Sequence, residues 1–234
     1  MVYKYAEKTS YEFLSAGGVI RSYPGYTNFP VRLGNEIFNR CLQYAGNKSA
    51  VTLYDPLCGS GYLLTVLGLL NFDSIKKIYA SDLDDKKLLV AAKNLRLLTI
   101  EGIAERFKEL EKMYHIHQRP SYKKYLLLVE RYQEIVLENK EIQVFRKDIF
   151  GLGKEPTMNP DIMMMDLPYE KMVNWTGSNT LSKLQEVLLS FARDETIIAI
   201  IRKKTQKLDF NKRFVRLEKF KVGHRVIEIL TKRI

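Results

Sequence analysis

The sequence predicts a doubly wound α/β protein, a mostly parallel sheet closed by an antiparallel hairpin. Three observations carry this reading. Short β-favouring runs alternate with stretches of helical periodicity, and several of those runs lead into an aspartate. Two further β-rich runs near the C-terminus are separated only by Val222-Gly223-His224. Repeated β-α units require parallel strands with helices on both faces, whereas a tight turn reverses the chain.

The elements follow in order. Behind a Pro/Gly/Tyr-rich segment (22–30), residues 31–44 form an amphipathic helical pattern. Val51-Thr52-Leu53-Tyr54 is a short apolar strand, followed by a glycine-containing turn and an apolar helix over 62–70. Lys77-Ile78-Tyr79-Ala80-Ser81 is a second strand. The following helix places Leu88, Ala91, Ala92, Leu95 and Leu98 at helical spacing. A plain β-α-β unit would return to the sheet within about thirty residues. The next strand is only Ile142-Gln143-Val144-Phe145, so an insertion over about 99–140 is expected. Ile103, Phe107 and Leu110 make one helical stripe. Tyr122, Tyr125, Leu126, Val129, Tyr132 and Val136 make a second after Pro120, which predicts an antiparallel helical hairpin. A fourth strand spans 161–165, a helix 181–192, and a buried strand 196–201. The terminal hairpin pairs 214–221 with 225–230. In domain terms, residues 1–48 read as an arm and helix packed on a core domain of 49–234.

The composition excludes several classes. With 46% apolar residues in 234, the chain can bury a substantial core, and it carries no repeat or low-complexity stretch. Its longest apolar run is too short to span a bilayer, its N-terminus lacks a secretory core, and no membrane partner is expected. Cys41 and Cys58 define neither a disulfide framework nor a zinc site, and His115 and His117 have no further ligands at metal spacing. A cytoplasmic monomer without metal is the expectation. The net charge of +11 is concentrated at the ends. Residues 202–234 carry 12 Lys/Arg against 3 Asp/Glu, and residues 1–50 carry 6 against 3. Such a distribution suits a polyanion meeting a surface built from both ends. Candidate phosphate contacts are Arg21, Arg32, Lys203, Lys204, Lys207, Arg213 and Arg225.

The chemistry lies at the strand ends, where open parallel sheets bind ligands. Asp55, Asp82, Asp148 and Asp166 end or closely follow the four parallel strands. Gly59 and Gly61, within Asp55-Pro56-Leu57-Cys58-Gly59-Ser60-Gly61-Tyr62, let the backbone approach a ligand at a helix N-terminus. A lone G-x-G also fits an ordinary tight turn. Leu64 occupies the place of a third dinucleotide glycine, which disfavours a nicotinamide oxidoreductase. Asp82, some twenty residues on, suits ribose hydroxyls; Asp84 suits the cap of the next helix. Asp55 and Asp148 disfavour a phosphate-rich cofactor. They suit S-adenosylmethionine, which offers a ribose, an adenine amine, a cationic amino group and a sulfonium. The cofactor-binding candidates are Asp55, Pro56, Cys58, Gly59, Ser60, Gly61, Tyr62, Asp82, Leu83, Asp148, Ile149 and Asp166, in a Rossmann-like class I methyltransferase fold with a seven-stranded sheet.

Asp166-Leu167-Pro168-Tyr169 follows the fourth strand, where amino-directed methyltransferases carry an acidic or amide residue, two prolines and an aromatic. Asp166 and the Leu167 carbonyl would accept hydrogen bonds from a target nitrogen. Pro168 stiffens the turn, and Tyr169 would stack on a flipped base. Trp175 is a further candidate for covering that base.

Together with Pro24-Gly25-Tyr26, Phe29-Pro30-Val31-Arg32-Leu33, Glu36-Ile37-Phe38, Cys58 to Leu70, Ala80-Ser81-Asp82 and Ala91-Ala92-Lys93-Asn94-Leu95, these motifs resemble the avilamycin/evernimicin-resistance ribosomal RNA methyltransferases of the AviRa and EmtA type. The resemblance implies methylation of a guanine, at ring N1, in 23S RNA of the large ribosomal subunit or its assembly precursor. Resistance to orthosomycin antibiotics would follow. Three alternatives stay open: methylation of another RNA or DNA base, methylation of a small molecule, and RNA binding without catalysis.

Overall fold

A computed structural model describes residues 3–15, 17–25, 28–151, 158–168, 178–206, 208, 210 and 212–233. Seven strands form one sheet: β1 (Val51–Asp55), β2 (Ile75–Asp82), β3 (Glu141–Arg146), β4 (Ile162–Asp166), β5 (Ile197–Lys203), β6 (Phe214–Val222) and β7 (Arg225–Lys232). Their spatial order is β3-β2-β1-β4-β5-β7-β6, with only β7 running against the others. The expected strands are all present, most extended by a residue or two. The expected terminal turn closes on Gly223 and His224, with Gly223 at φ +55°.

Side-chain alternation divides the sheet into two buried faces. Val51 and Leu53 of β1, Ile162 and Met164 of β4, and Ile197, Ala199 and Ile201 of β5 join one apolar cluster. Their neighbours Tyr54, Met163, Met165, Ile198 and Ile200 join the other. The first face is covered by α1 (Val31–Tyr44), α2 (Tyr62–Leu70) and α3 (Asp85–Leu95), the second by α6 (Ser178–Phe191), which begins three residues before the sequence expectation. Asp84 caps α3 by accepting from the Lys86 and Lys87 amides, the role its sequence position suggested.

The insertion is the expected pair of helices, α4 (Ile100–His117) and α5 (Pro120–Ile135). Ile103, Leu110, Val129, Tyr132 and Val136 are buried, while Phe107, Tyr122, Tyr125 and Leu126 pack partly buried against the core. The pair also fastens the N-terminal arm. Arg106 donates to the Gly18 and Val19 carbonyls at 2.6 and 3.1 Å, and Tyr132 Oη donates to the Phe13 carbonyl. A Cβ on Gly18 would lie 2.4 Å from the Tyr125 ring, so arm and hairpin are matched in shape. No helix among the described residues is long and apolar enough to cross a membrane.

Further along the arm, Glu36 of α1, fully buried, accepts the amides of Lys4, Tyr5 and Ala6 at 2.8–2.9 Å and pairs with Arg40 at 2.6 Å. Burial alone would raise its pKa. The three amides and the guanidinium outweigh burial and leave it below the usual value. A depressed carboxylate stabilises the fold above its unfolded pKa of about 4.3, and that contribution is lost as pH falls through the lower folded value. Glu36→Gln should therefore cost about 1–3 kcal/mol at neutral pH, with the loss shrinking toward pH 3. Denaturant unfolding from pH 3 to 7 measures this, and a pH-independent difference would contradict it.

Candidate active site

The parallel order reverses between β1 and β4, and the last residues of those two strands are Asp55 and Asp166. A cavity of about 150 Å³ opens there. Its wall is formed by Asp55, Cys58, Gly59, Ser60, Tyr62 and Asp166 from the expected set. Tyr23, Asn28, Phe29, Leu57, Leu63 and Lys87 complete it.

The strand-to-helix loop is held from below. The Cys58 amide donates to the Ser81 carbonyl at 2.9 Å, and the Gly59 amide to Asp82 Oδ2 at 2.9 Å. Gly59 has φ +55° and nothing within 4 Å of where a Cβ would stand, which leaves its backbone open to a ligand. Gly61 works differently. At φ +69° it caps α2, and a Cβ there would meet Ala91 at 3.0 Å. A side chain there would collide with α3, so the absence of a Cβ lets the loop sit close against that helix. Asn94, fully buried on α3, donates to the Ser60 carbonyl at 3.0 Å and exchanges two 2.9 Å hydrogen bonds with the Arg21 backbone. It couples the loop to the arm that delivers Tyr23, Asn28 and Phe29.

The two carboxylates are perturbed in the same sense. Asp55 is 3% exposed. Burial, with the nearby charges of Asp82 and Asp166, pushes its pKa up to about 8 against one hydrogen bond from the Leu57 amide. Burial pushes Asp166 up to about 6, opposed by the Arg225 guanidinium. Asp166 Oδ1 and Arg225 Nε are buried without hydrogen-bond partners among the described residues. A buried acceptor without a donor is costly unless a ligand completes it.

Several expected residues lie outside the cavity wall. Asp82 spends Oδ2 on Gly59 and Oδ1 on the Asp84 amide at 3.0 Å, so it braces the loop. Asp148 is exposed and closes its own turn through the Phe150 amide at 2.9 Å. Ile149 packs in the second apolar cluster, and Leu83, beside Asp82, is 53% exposed. Pro56 lies beneath the loop, its carbonyl 3.4 Å from Ser81 Oγ, and Leu167 and Pro168 continue the turn after β4. Tyr169, Trp175 and Lys207 lie outside the described residues.

The expected phosphate contacts divide. Lys203 ends β5 and Lys204 is exposed in the turn after it, two and three residues beyond Ile201, the partner of Asp166. Arg213 is exposed but pairs with Glu186, and Arg21 pairs with Glu109. Arg32 holds the arm, donating to the Ala6 carbonyl at 3.2 Å and lying 3.9 Å over the Tyr3 ring. Arg225 sits 5.2 Å over Phe29 and faces Asp166. The edge strand β6 adds three exposed cations that the sequence did not single out: Arg216, Lys219 and Lys221. The further cavity residues are only partly legible in the sequence. Phe29 lay in a noted motif, whereas Lys87 looks like any solvated helix lysine.

The chain matches known proteins over nearly its whole length. The family model described as rRNA methyltransferase AviRa matches residues 1–225. The 23S rRNA (guanine(2535)-N(1))-methyltransferase of Streptomyces viridochromogenes is 37% identical over 198 residues, covering 81% of this chain and 79% of that protein. The solved structure of rRNA methyltransferase AviRa from the same organism superposes with a TM-score of 0.88 at 32% identity, covering 99% of this chain and 96% of the other. A putative methyltransferase from Escherichia coli, 11% identical with a TM-score of 0.53, shares the fold over 92% of each chain. A cavity walled by two aspartates at the switch point of a seven-stranded sheet thus stands in a chain that matches one family from its first residue to the terminal hairpin, and the chain belongs to the AviRa family of rRNA methyltransferases.

Proposed function

We propose that the chain methylates ring N1 of a guanine in 23S rRNA with S-adenosylmethionine as donor, and so protects the large subunit against orthosomycin antibiotics. The observation that carries the chemistry is Asp166, whose Oδ1 is buried without a hydrogen-bond partner among the described residues, on the wall of the cavity it shares with Asp55. The named substrate rests on the Streptomyces relative, which is described as a guanine N1 methyltransferase of 23S rRNA.

The donor set fits the cofactor. Asp55 offers a buried acceptor for the cationic amino group, and Gly59 an open backbone beside it. Asp82, anchored through the Gly59 and Asp84 amides, stands where ribose hydroxyls would be met, with exposed Leu83 as an apolar bed for the adenine. Asp148 and Ile149 on the next strand end would bound the adenine edge. S-adenosylmethionine brings an already activated methyl group, so the protein's task is mainly to orient the acceptor. Asp166 accepts the guanine N1–H and takes its proton. The Leu167 carbonyl aligns the same base, Pro168 keeps the turn rigid, and Tyr169 provides a stacking face.

Lys203 and Lys204 border this turn, and with the β6 cations they form the rim on which we place the RNA backbone. Arg213 and Lys207 belong to the same segment. Arg21 would reach phosphate from the arm and Arg32 from the first turn of α1.

Asp166→Ala should reduce methyl incorporation into 23S rRNA by at least a hundredfold while cofactor affinity changes less than threefold. In the unsubstituted protein the base must be ionised, and its pKa is raised to about 6, so turnover should climb as pH rises through 6 and then level. An acid limb near pH 4, or lost cofactor binding in the variant, would move Asp166 out of this role. RNA affinity should fall steeply with salt, and Lys203→Ala with Lys204→Ala should flatten the slope of log K against log salt by roughly one to two. A flat dependence would remove the basic rim from the account.

A further inference from the structure

The turn that carries Asp166, Leu167 and Pro168 is tied to the sheet by a buried chain of polar contacts that the chemistry above does not use. The Leu167 amide donates to the Ile201 carbonyl at 2.8 Å. Gln206, 8% exposed, donates from Nε2 to the Pro168 carbonyl at 3.1 Å. Its Oε1 accepts the Lys203 amide at 2.8 Å, and its own amide donates to the Lys203 carbonyl at 3.1 Å. Behind it, Arg202 donates from Nη1 to the Gln206 carbonyl and from Nε and Nη2 to Glu228 Oε1 at 3.1 and 2.6 Å. Glu228 has no exposure on β7, and its other oxygen is faced by Arg216 at 3.0 Å and Lys219 at 3.5 Å.

A charged pair inside an otherwise apolar sheet is a poor source of stability, because desolvation offsets the attraction. What the pair does supply is direction. Arg202 meets Glu228 through two donors, and the planar guanidinium so held aims its third nitrogen at the carbonyls of the 203–206 turn, closely at Gln206 and at 3.4 Å at Lys203. The Gln206 side chain is then held by a main-chain donor on one end and has one acceptor on the other, Pro168. We propose that Gln206, oriented by the Arg202–Glu228 pair, is a positioning residue that holds the 166–168 turn in register with the acceptor base. This rests on the reading that Asp166 and Leu167 grip that base. The basic β6 strand thereby joins the catalytic turn through Glu228, so the strand that borders the RNA rim and the turn that orients the base share one polar network.

The experiment compares Gln206→Met and Gln206→Glu with the unsubstituted chain. Both keep the side-chain length and lose the donor to Pro168, and Gln206→Glu keeps the acceptor for the Lys203 amide. Methyl transfer from S-adenosylmethionine to 23S rRNA is followed with kcat and KM separated, alongside cofactor affinity by calorimetry and thermal melting. The expected result is a kcat lowered about 5- to 20-fold in both variants, with KM for the cofactor, its affinity and the melting temperature close to those of the unsubstituted chain. An unchanged kcat overturns the role, as does a kcat that falls only in step with cofactor affinity and melting temperature. Asp166→Ala, which removes both the acceptor and the base, separates the two readings. If that variant still turns over, the grip on the base is wrong and Gln206 has nothing to position. If it is inactive while both Gln206 variants behave as the unsubstituted chain, the positioning role alone is lost.

Discussion

The arrangement around the cavity follows from one constraint, a carboxylate kept nearly dry at the end of β1. Asp55 is 3% exposed, and a single amide hydrogen bond from Leu57 does not compensate for that burial. A free carboxyl in such a place is held in its neutral form up to about pH 8. The cost is tolerated where the ligand itself carries the missing positive charge. Asp166, across the switch point, repeats the pattern in milder form, with an oxygen that has no partner among the described residues and a pKa of about 6. On the proposed reading, these two acids with separated pKa values take two roles, Asp55 holding a cation and Asp166 accepting a proton.

The loop after β1 and the arm over the cavity are braced around those strand ends. Asp82 secures Gly59, Asn94 secures Ser60, and the Ala91 contact leaves Gly61 no room for a side chain. The N-terminal arm closes the cavity with Tyr23, Asn28 and Phe29, and its anchors include Glu36 and Arg32 on α1, Asn94 on α3, and Arg106 and Tyr132 of the helical insertion. The insertion, which interrupts the repeating β-α pattern, thus contributes to the site through the arm.

The fold was legible because two-sided burial writes itself into sequence. Runs such as Ile162-Met163-Met164-Met165 have no polar side to show, and the turn chemistry at Gly223 marks the reversal. The strand-end aspartates were legible as a set, but not their separate tasks. Asp82 and Asp148 hydrogen-bond to local amides, and nothing in a sequence distinguishes a carboxylate that braces its own loop from one that awaits a ligand. Arg32 and Arg225 are candidate phosphate contacts on charge alone. In the fold one holds the arm and the other sits over Phe29 facing Asp166. Gln206, Asn94 and the Arg202–Glu228 pair escaped for the same reason: long-range hydrogen bonds leave no periodicity behind.

On the proposed reading, binding the donor's amino group must expel the proton from Asp55. The direct measurement is calorimetric titration of the protein with S-adenosylmethionine between pH 6 and 7.5, in buffers of different ionisation heat. Affinity should rise with pH by up to tenfold per unit, with close to one proton released per cofactor bound. Affinity that does not change over this range, or proton uptake on binding, would contradict the assignment of Asp55 to the cationic group and with it the logic of the buried cavity.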